Sequence, residues 1–151
     1  MANEKEHSMP TMQPQTQYLH RFAFCANLTL MLWVALWQMI LSPHPHLNHW
    51  VMAAVWIIPL VLPLHGMLAA KPYTYAWSNF ILMFYFLHAL TLLTIDEGER
   101  WLASVELLLV TIAFLSNILF ARVRAKELGI KLQRLSQVER QERERFEPPK
   151  D

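Results

Sequence analysis

The chain has 151 residues, of which 54% are hydrophobic and 17% charged, and its formal net charge is +1. Its single cysteine, Cys25, excludes an internal disulfide, and with it the four-helix quinone-linked thiol oxidases that need cysteine pairs. There is no Gly-rich phosphate loop, nucleic-acid motif or nucleophile–base pair at recognisable spacing, so nucleic acid is not an expected partner and no cofactor is implied.

Residues 1–17 are polar, with Pro10 and Pro14, and read as a disordered arm. Four uninterrupted apolar runs follow, at about 22–41, 50–70, 76–95 and 102–121. Each holds about 20 residues, and a helix of that length spans about 30 Å of hydrocarbon. The expected fold is therefore all-α: a polytopic membrane protein whose residues 18–121 form an antiparallel four-helix transmembrane bundle. The first run is too long for a signal peptide, its arm carries Glu4 and Glu6, and no small-x-small site follows it. Cys25, inside that run, reads as a small packing residue.

The loop at 42–49 is short and stiffened by Pro43 and Pro45. It carries His44, His46 and His49, and close imidazoles suit Zn, Cu or Ni. A polar turn facing water explains the same three residues, and a fourth ligand would have to come from Asp96, Glu97 or Glu99 in another loop. In run two, Pro59 and Pro63 each remove a backbone donor, so a kink is expected there, with neighbouring helices covering the freed carbonyls. Gly66 permits close helix approach, and a tight turn at Lys71-Pro72 makes runs two and three a hairpin. Beyond residue 121, the segment 122–151 is expected to be a charged cytoplasmic C-terminal helix. Its narrow stripe of Leu128, Leu132 and Leu135, with Val138 beside it, suits the anionic surface of a bilayer better than a coiled coil.

Charge placement gives the expected orientation. Of 13 Lys and Arg residues, Lys5 and Arg21 precede run one, Lys71 separates runs two and three, and nine follow run four. Only Arg100 lies on the other side. The positive-inside rule puts both termini and the Lys71 turn in the cytoplasm. Trp50 and Trp101 then fall at the outer interface, and Tyr73, Tyr75 and Trp77 at the inner one.

Polar residues within hydrocarbon are costly, so their positions are informative. Counting from the run ends places Asn27, His65, Asn79 and Asn117 in an inner layer and Gln38, His88 and Glu106 in an outer one. At about 100° per residue, Asn27 and Gln38 share a face, as do Glu106 and Asn117, whereas Asn79 and His88 point apart. The third run is thus expected to meet different neighbours at its two ends. The asparagines read as interhelical locks, worth about 0.6 kcal/mol per bond on average. A bond between His88 and Glu106 is feasible, and is either structural or able to relay protons or bind a cation. His65 and His88 differ in depth by about 10 Å at the helical rise, which argues against a shared haem.

The stretch from Pro59 through Pro63, His65, Gly66, Lys71, Tyr73, Thr74, Tyr75 and Trp77 to Phe80, followed by Tyr85 and Phe86, resembles an uncharacterised family of small four-span bacterial inner-membrane proteins, domain-of-unknown-function family 2069. The likeness extends from about residue 18 to about residue 124 and leaves out the tail. It implies an integral protein of the bacterial inner membrane and carries no known activity or catalytic residue. The leading expectation is a non-enzymatic accessory or assembly factor, in contact with the lipid bilayer, that binds a membrane-protein partner. The alternative is an oligomeric small channel or transporter, a homo-oligomer using His65, His88 and Glu106.

Overall fold

The computed structural model describes residues 11–41, 48–95 and 98–129, the side chain of His49 excepted. All of the described elements are helical. α1 (Pro14–Leu36) starts with proline in its first turn, where a missing N–H costs no bond. It widens at its end into one π-helical turn, Trp37–Leu41. α2 (His49–Val61) is capped by Asn48, whose side-chain oxygen accepts the Trp50 N–H at 3.0 Å. A break at Leu62-Pro63 separates it from the short α3 (Leu64–Leu68). α4 (Pro72–Thr94) again opens on proline, and α5 (Arg100–Glu127) completes the set. Together these supply four candidate membrane spans, Pro14–Leu41, Trp50–Leu68, Pro72–Thr94 and Arg100–Glu127, packed antiparallel.

Two expected boundaries move. The N-terminal arm is shorter than 1–17, because α1 begins at Pro14 and buries Thr16, whose hydroxyl donates to the Glu127 carboxylate. At the other end, α5 runs past residue 121 to Glu127 and stops where Gly129 takes a φ of +66° and its N–H reaches the Lys126 carbonyl at 3.1 Å. Leu128 is therefore a cap residue. Leu132, Leu135 and Val138, the rest of the proposed tail stripe, lie outside the described residues.

The α3–α4 turn is tight for a visible reason. The Lys71 N–H bonds the Gly66 carbonyl at 3.2 Å, and the Ala70 N–H bonds that of Met67 at 2.9 Å, the paired bonds of a Schellman cap. Ala70 takes the left-handed conformation, φ +52°, that such a cap needs. Glycine would adopt it more easily, but the Ala70 methyl is buried with Met67, Tyr75 and Phe120. Gly66 lies flat against α4: a methyl group built on it would fall within 3.0 Å of three Thr74 side-chain atoms.

The buried residues explain how the long helices pack. On α5, Ala103, Glu106, Val110, Ala113, Asn117, Phe120 and Arg124 recur at alternating steps of three and four, and on α4 Tyr75, Ser78, Leu82, Tyr85 and Ala89 do the same. That period of 3.5 is the signature of left-handed helix packing. Ala23, Ser78, Ala89, Ala103, Ala113 and Ser116 let backbones approach, as membrane helices require when lipid competes equally for apolar side chains. α1, α4 and α5 form the body of the bundle. α2 packs mainly along α1, buries Ala53 and Leu60, and meets α4 only sparsely, leaving a gap between them.

Candidate functional site: a histidine–glutamate pair beneath a lateral cleft

The intramembrane polar residues form two groups. Nearer the Lys71 turn, Asn27 of α1, Ser78 and Asn79 of α4 and Asn117 of α5 close into one network. Asn27 Nδ2 donates to Asn117 Oδ1 at 2.7 Å and to its own helix at the Ala23 carbonyl at 2.8 Å. Asn117 Nδ2 donates to Asn79 Oδ1 at 3.0 Å and to Ser78 Oγ at 3.1 Å. Asn79 Nδ2 reaches the Phe114 carbonyl at 3.4 Å, and the Ser78 hydroxyl donates to the Tyr75 carbonyl at 2.9 Å. Asn117 Nδ2, with two hydrogens, is shared among three acceptors, since Asn27 Oδ1 also lies 3.4 Å from it. Such a network holds three helices in register.

His65 does not join this layer. The buried positions Ala53, Leu60, Pro63, Met67 and Ala70 continue one face across the break at Pro63, and His65 falls off that face and is exposed. The inward-facing histidine at this end is His20, which the sequence reading passed over. Its Nε2 lies 2.8 Å from the Met67 carbonyl, and its ring packs against Tyr75 and Phe120. Below it, Thr16, Arg124 and Glu127 tie the ends of α1 and α5 together, with Arg124 Nη1 2.9 Å from Glu127 Oε2.

Toward the Gly98 end the arrangement differs. Glu106 is 0% exposed, and its Oε2 lies 2.8 Å from His88 Nδ1, the bond that the sequence made feasible. Glu106 Oε1 is buried and has no hydrogen-bond partner among the described residues, and the same is true of Trp33 Nε1 nearby. Two indoles crowd the imidazole: Trp56 of α2, with ring centroids 4.3 Å apart, and Trp37, at 5.5 Å. Trp37 opens the π-helical turn, a rare distortion that is frequent at functional sites. Gln38 is buried in the same turn. Asn79 and His88 both bond α5, and α1 with its π-helical end flanks both groups through Asn27 and Trp37, so the two ends of α4 differ only in the added contact of Trp56 of α2 with His88.

A cleft of about 560 Å³ opens between α2 and α4 above this pair. Val55, Trp56, Pro59, Phe84, Tyr85, His88 and Thr91 are among the residues that line it. Pro59, which cannot donate, lies on its wall, and the Tyr85 hydroxyl crosses from α4 to donate to the Trp56 carbonyl. The neighbouring face of α4 and α5 carries a larger apolar groove of about 820 Å³ lined by Phe80, Met83, Phe84, Phe86, Phe114 and Leu115.

A family model described as a predicted membrane protein, domain-of-unknown-function family 2069, matches residues 22–125. The chain belongs to that family. The family-2069 match takes in the hairpin, the asparagine network, His88 and Glu106, and it stops short of Thr16 and Glu127. No curated protein and no solved structure matches the chain.

The remaining expected positions are quickly placed. Among the described residues no three His, Cys, Asp or Glu side chains come together to hold a metal. His44, His46, Asp96 and Glu97 lie outside the described residues, as does the side chain of His49. Cys25 is exposed on α1, not packed inside as expected, because a thiol facing lipid loses nothing by it. Tyr75 is fully buried, while Tyr73 is exposed in the collar position expected of it. Trp77 is half-buried.

Proposed function

We propose that this chain is a non-enzymatic accessory or assembly factor of the bacterial inner membrane, with both termini in the cytoplasm, acting by contact with a membrane-protein partner. One observation carries this reading. The asparagine network is satisfied within the bundle and blocks its axis near the Lys71 turn, while the recessed surfaces open sideways, toward lipid and toward other helices. The Phe-lined groove on α4 and α5 is concave and aromatic, and Phe84 is 72% exposed beside it. A partner's transmembrane helix would fill such a groove with side chains, a form of packing that lipid tails match poorly.

The second reading, an oligomeric small channel or transporter, draws on the unpartnered oxygen of Glu106. Of the three residues assigned to it, His65 stands apart from His88 and Glu106, on the far side of the asparagine network. Crosslinking in native membranes followed by affinity purification and mass spectrometry tests the choice. It should be run on the full chain and on a chain cut after Gly129, which keeps the Thr16–Glu127 tie. A stoichiometric partner crosslinked through Phe80 or Phe84 supports the accessory reading. Recovery of the chain alone as a defined oligomer, with proton or cation flux in liposomes that is lost in Glu106→Gln, supports the channel.

A further inference from the structure

We infer that the α2–α4 cleft binds the ring of a lipid-soluble quinone, with His88 Nε2 as its polar contact. The inference does not rest on a protein partner, and each can fail without the other.

Most polar atoms lining the cleft are already committed. The Tyr85 hydroxyl donates to the Trp56 carbonyl, the Thr91 hydroxyl donates to the Leu87 carbonyl at 2.8 Å, and His88 Nδ1 is held by Glu106. That leaves two ring nitrogens, His88 Nε2 and the Trp56 indole N–H, on rings whose centroids are 4.3 Å apart. His88 stays open to the cleft, its side chain 20% exposed. The site therefore offers one or two hydrogen bonds at a single point, and the rest of its wall is aromatic or aliphatic.

Those features select a ligand class. The cleft opens laterally, so its occupant arrives through the bilayer and carries an apolar tail. No Lys or Arg lines it, and the imidazole is already paired with a carboxylate, so a phosphate or carboxylate headgroup has no counter-charge there. Trp56, Phe84 and Tyr85 present flat surfaces suited to a planar ring. The volume, about 560 Å³, is in the range of small-molecule sites.

The His88–Glu106 pair also suits both forms of such a ring. With a proton shared between Nδ1 and Oε2, Nε2 carries a hydrogen and donates to a ring carbonyl. With the Nε2 proton lost and the other kept on Nδ1, facing the carboxylate, Nε2 has a free lone pair and accepts from a ring hydroxyl. Only binding is inferred.

The test uses the full chain in lipid nanodiscs, with decyl-benzoquinone added and tryptophan fluorescence recorded. Wild type should show a saturable quenching phase above the linear background from quinone dissolved in lipid. His88→Asn keeps a donor near the Nδ1 position for Glu106 but removes Nε2, and should weaken that phase about tenfold, the value of one well-made hydrogen bond. Val55→Phe fills the cleft from α2 without touching the pair and should abolish the phase. Dodecanoate at equal concentration should not compete. Purely linear quenching, identical in all three proteins, would overturn the inference, and so would full competition by dodecanoate.

Discussion

The two polar groups of this bundle sit about 13 Å apart along α4, nine residues at the helical rise, and are built on opposite terms. Near the Lys71 turn, four side chains from three helices satisfy one another. Toward the Gly98 end, a buried carboxylate has one bonded oxygen and one unbonded one, next to a cleft and a distorted turn. The first group resembles a lock and the second a site. What separates them is α2: the asparagine cluster lies among the tightly packed α1, α4 and α5, whereas His88 lies beside Trp56 of α2, a helix that meets α4 only sparsely.

Substitutions should bring that contrast into the open. Asn117→Leu removes the hub of the network and strands Asn27, Ser78 and Asn79. A loss of about 3 kcal/mol is expected, at the upper end of the range for orphaned buried polar groups, and denaturant titration in bicelles measures it. A loss under 1 kcal/mol would mean that packing alone holds this half. Gly66→Ala should cost about 2 kcal/mol, as overpacking does, and Thr74→Ala in the same chain should recover most of it. Independent, additive effects of that pair would show that the hairpin relaxes around the methyl. In the other half, Glu106→Gln should change stability by less than about 1 kcal/mol, because an amide keeps the bond to His88 and avoids an unpaired buried charge. A larger loss there would erase the distinction between lock and site.

Two smaller effects concern the Lys71 end. Ala70→Gly relieves a left-handed residue, worth about 1–2 kcal/mol, but gives up a buried methyl of about 0.8 kcal/mol, so a net gain of no more than about 1 kcal/mol is expected in the same titration. Thr16→Val removes the hydroxyl that ties the start of α1 to Glu127, so proteolysis near Gly129 should run faster in that variant than in wild type.

Much of this was readable from residue order. Four runs of about 20 apolar residues fix four spans, and counting inward from their ends places Asn27, Asn79 and Asn117 at one depth. The same counting misplaced His65, because it gives depth and not rotation, and His65 lies off the face that Leu60, Pro63 and Met67 bury. It also passed over His20 and Ser78. Histidine near a span end and serine inside one are too common to stand out, and their roles depend on which carbonyl or amide comes near. The bond between His88 and Glu106 was foreseeable from the hairpin. The unpartnered oxygen and the lateral cleft were not, since both depend on how neighbouring helices pack, which local sequence does not encode.

The pairing of the first helix with the last has a consequence for biogenesis. Asn27 and Asn117 are 90 positions apart, and Thr16 and Glu127 are 111 apart. A chain made from its N-terminus must insert α1 long before its partner leaves the ribosome. Asn27 can wait in the meantime, because its amide already donates to the Ala23 carbonyl of its own helix. Closure of the bundle is therefore the final event of synthesis, and a chain arrested before Asn117 would leave α1 free to diffuse in the plane of the membrane and pair elsewhere.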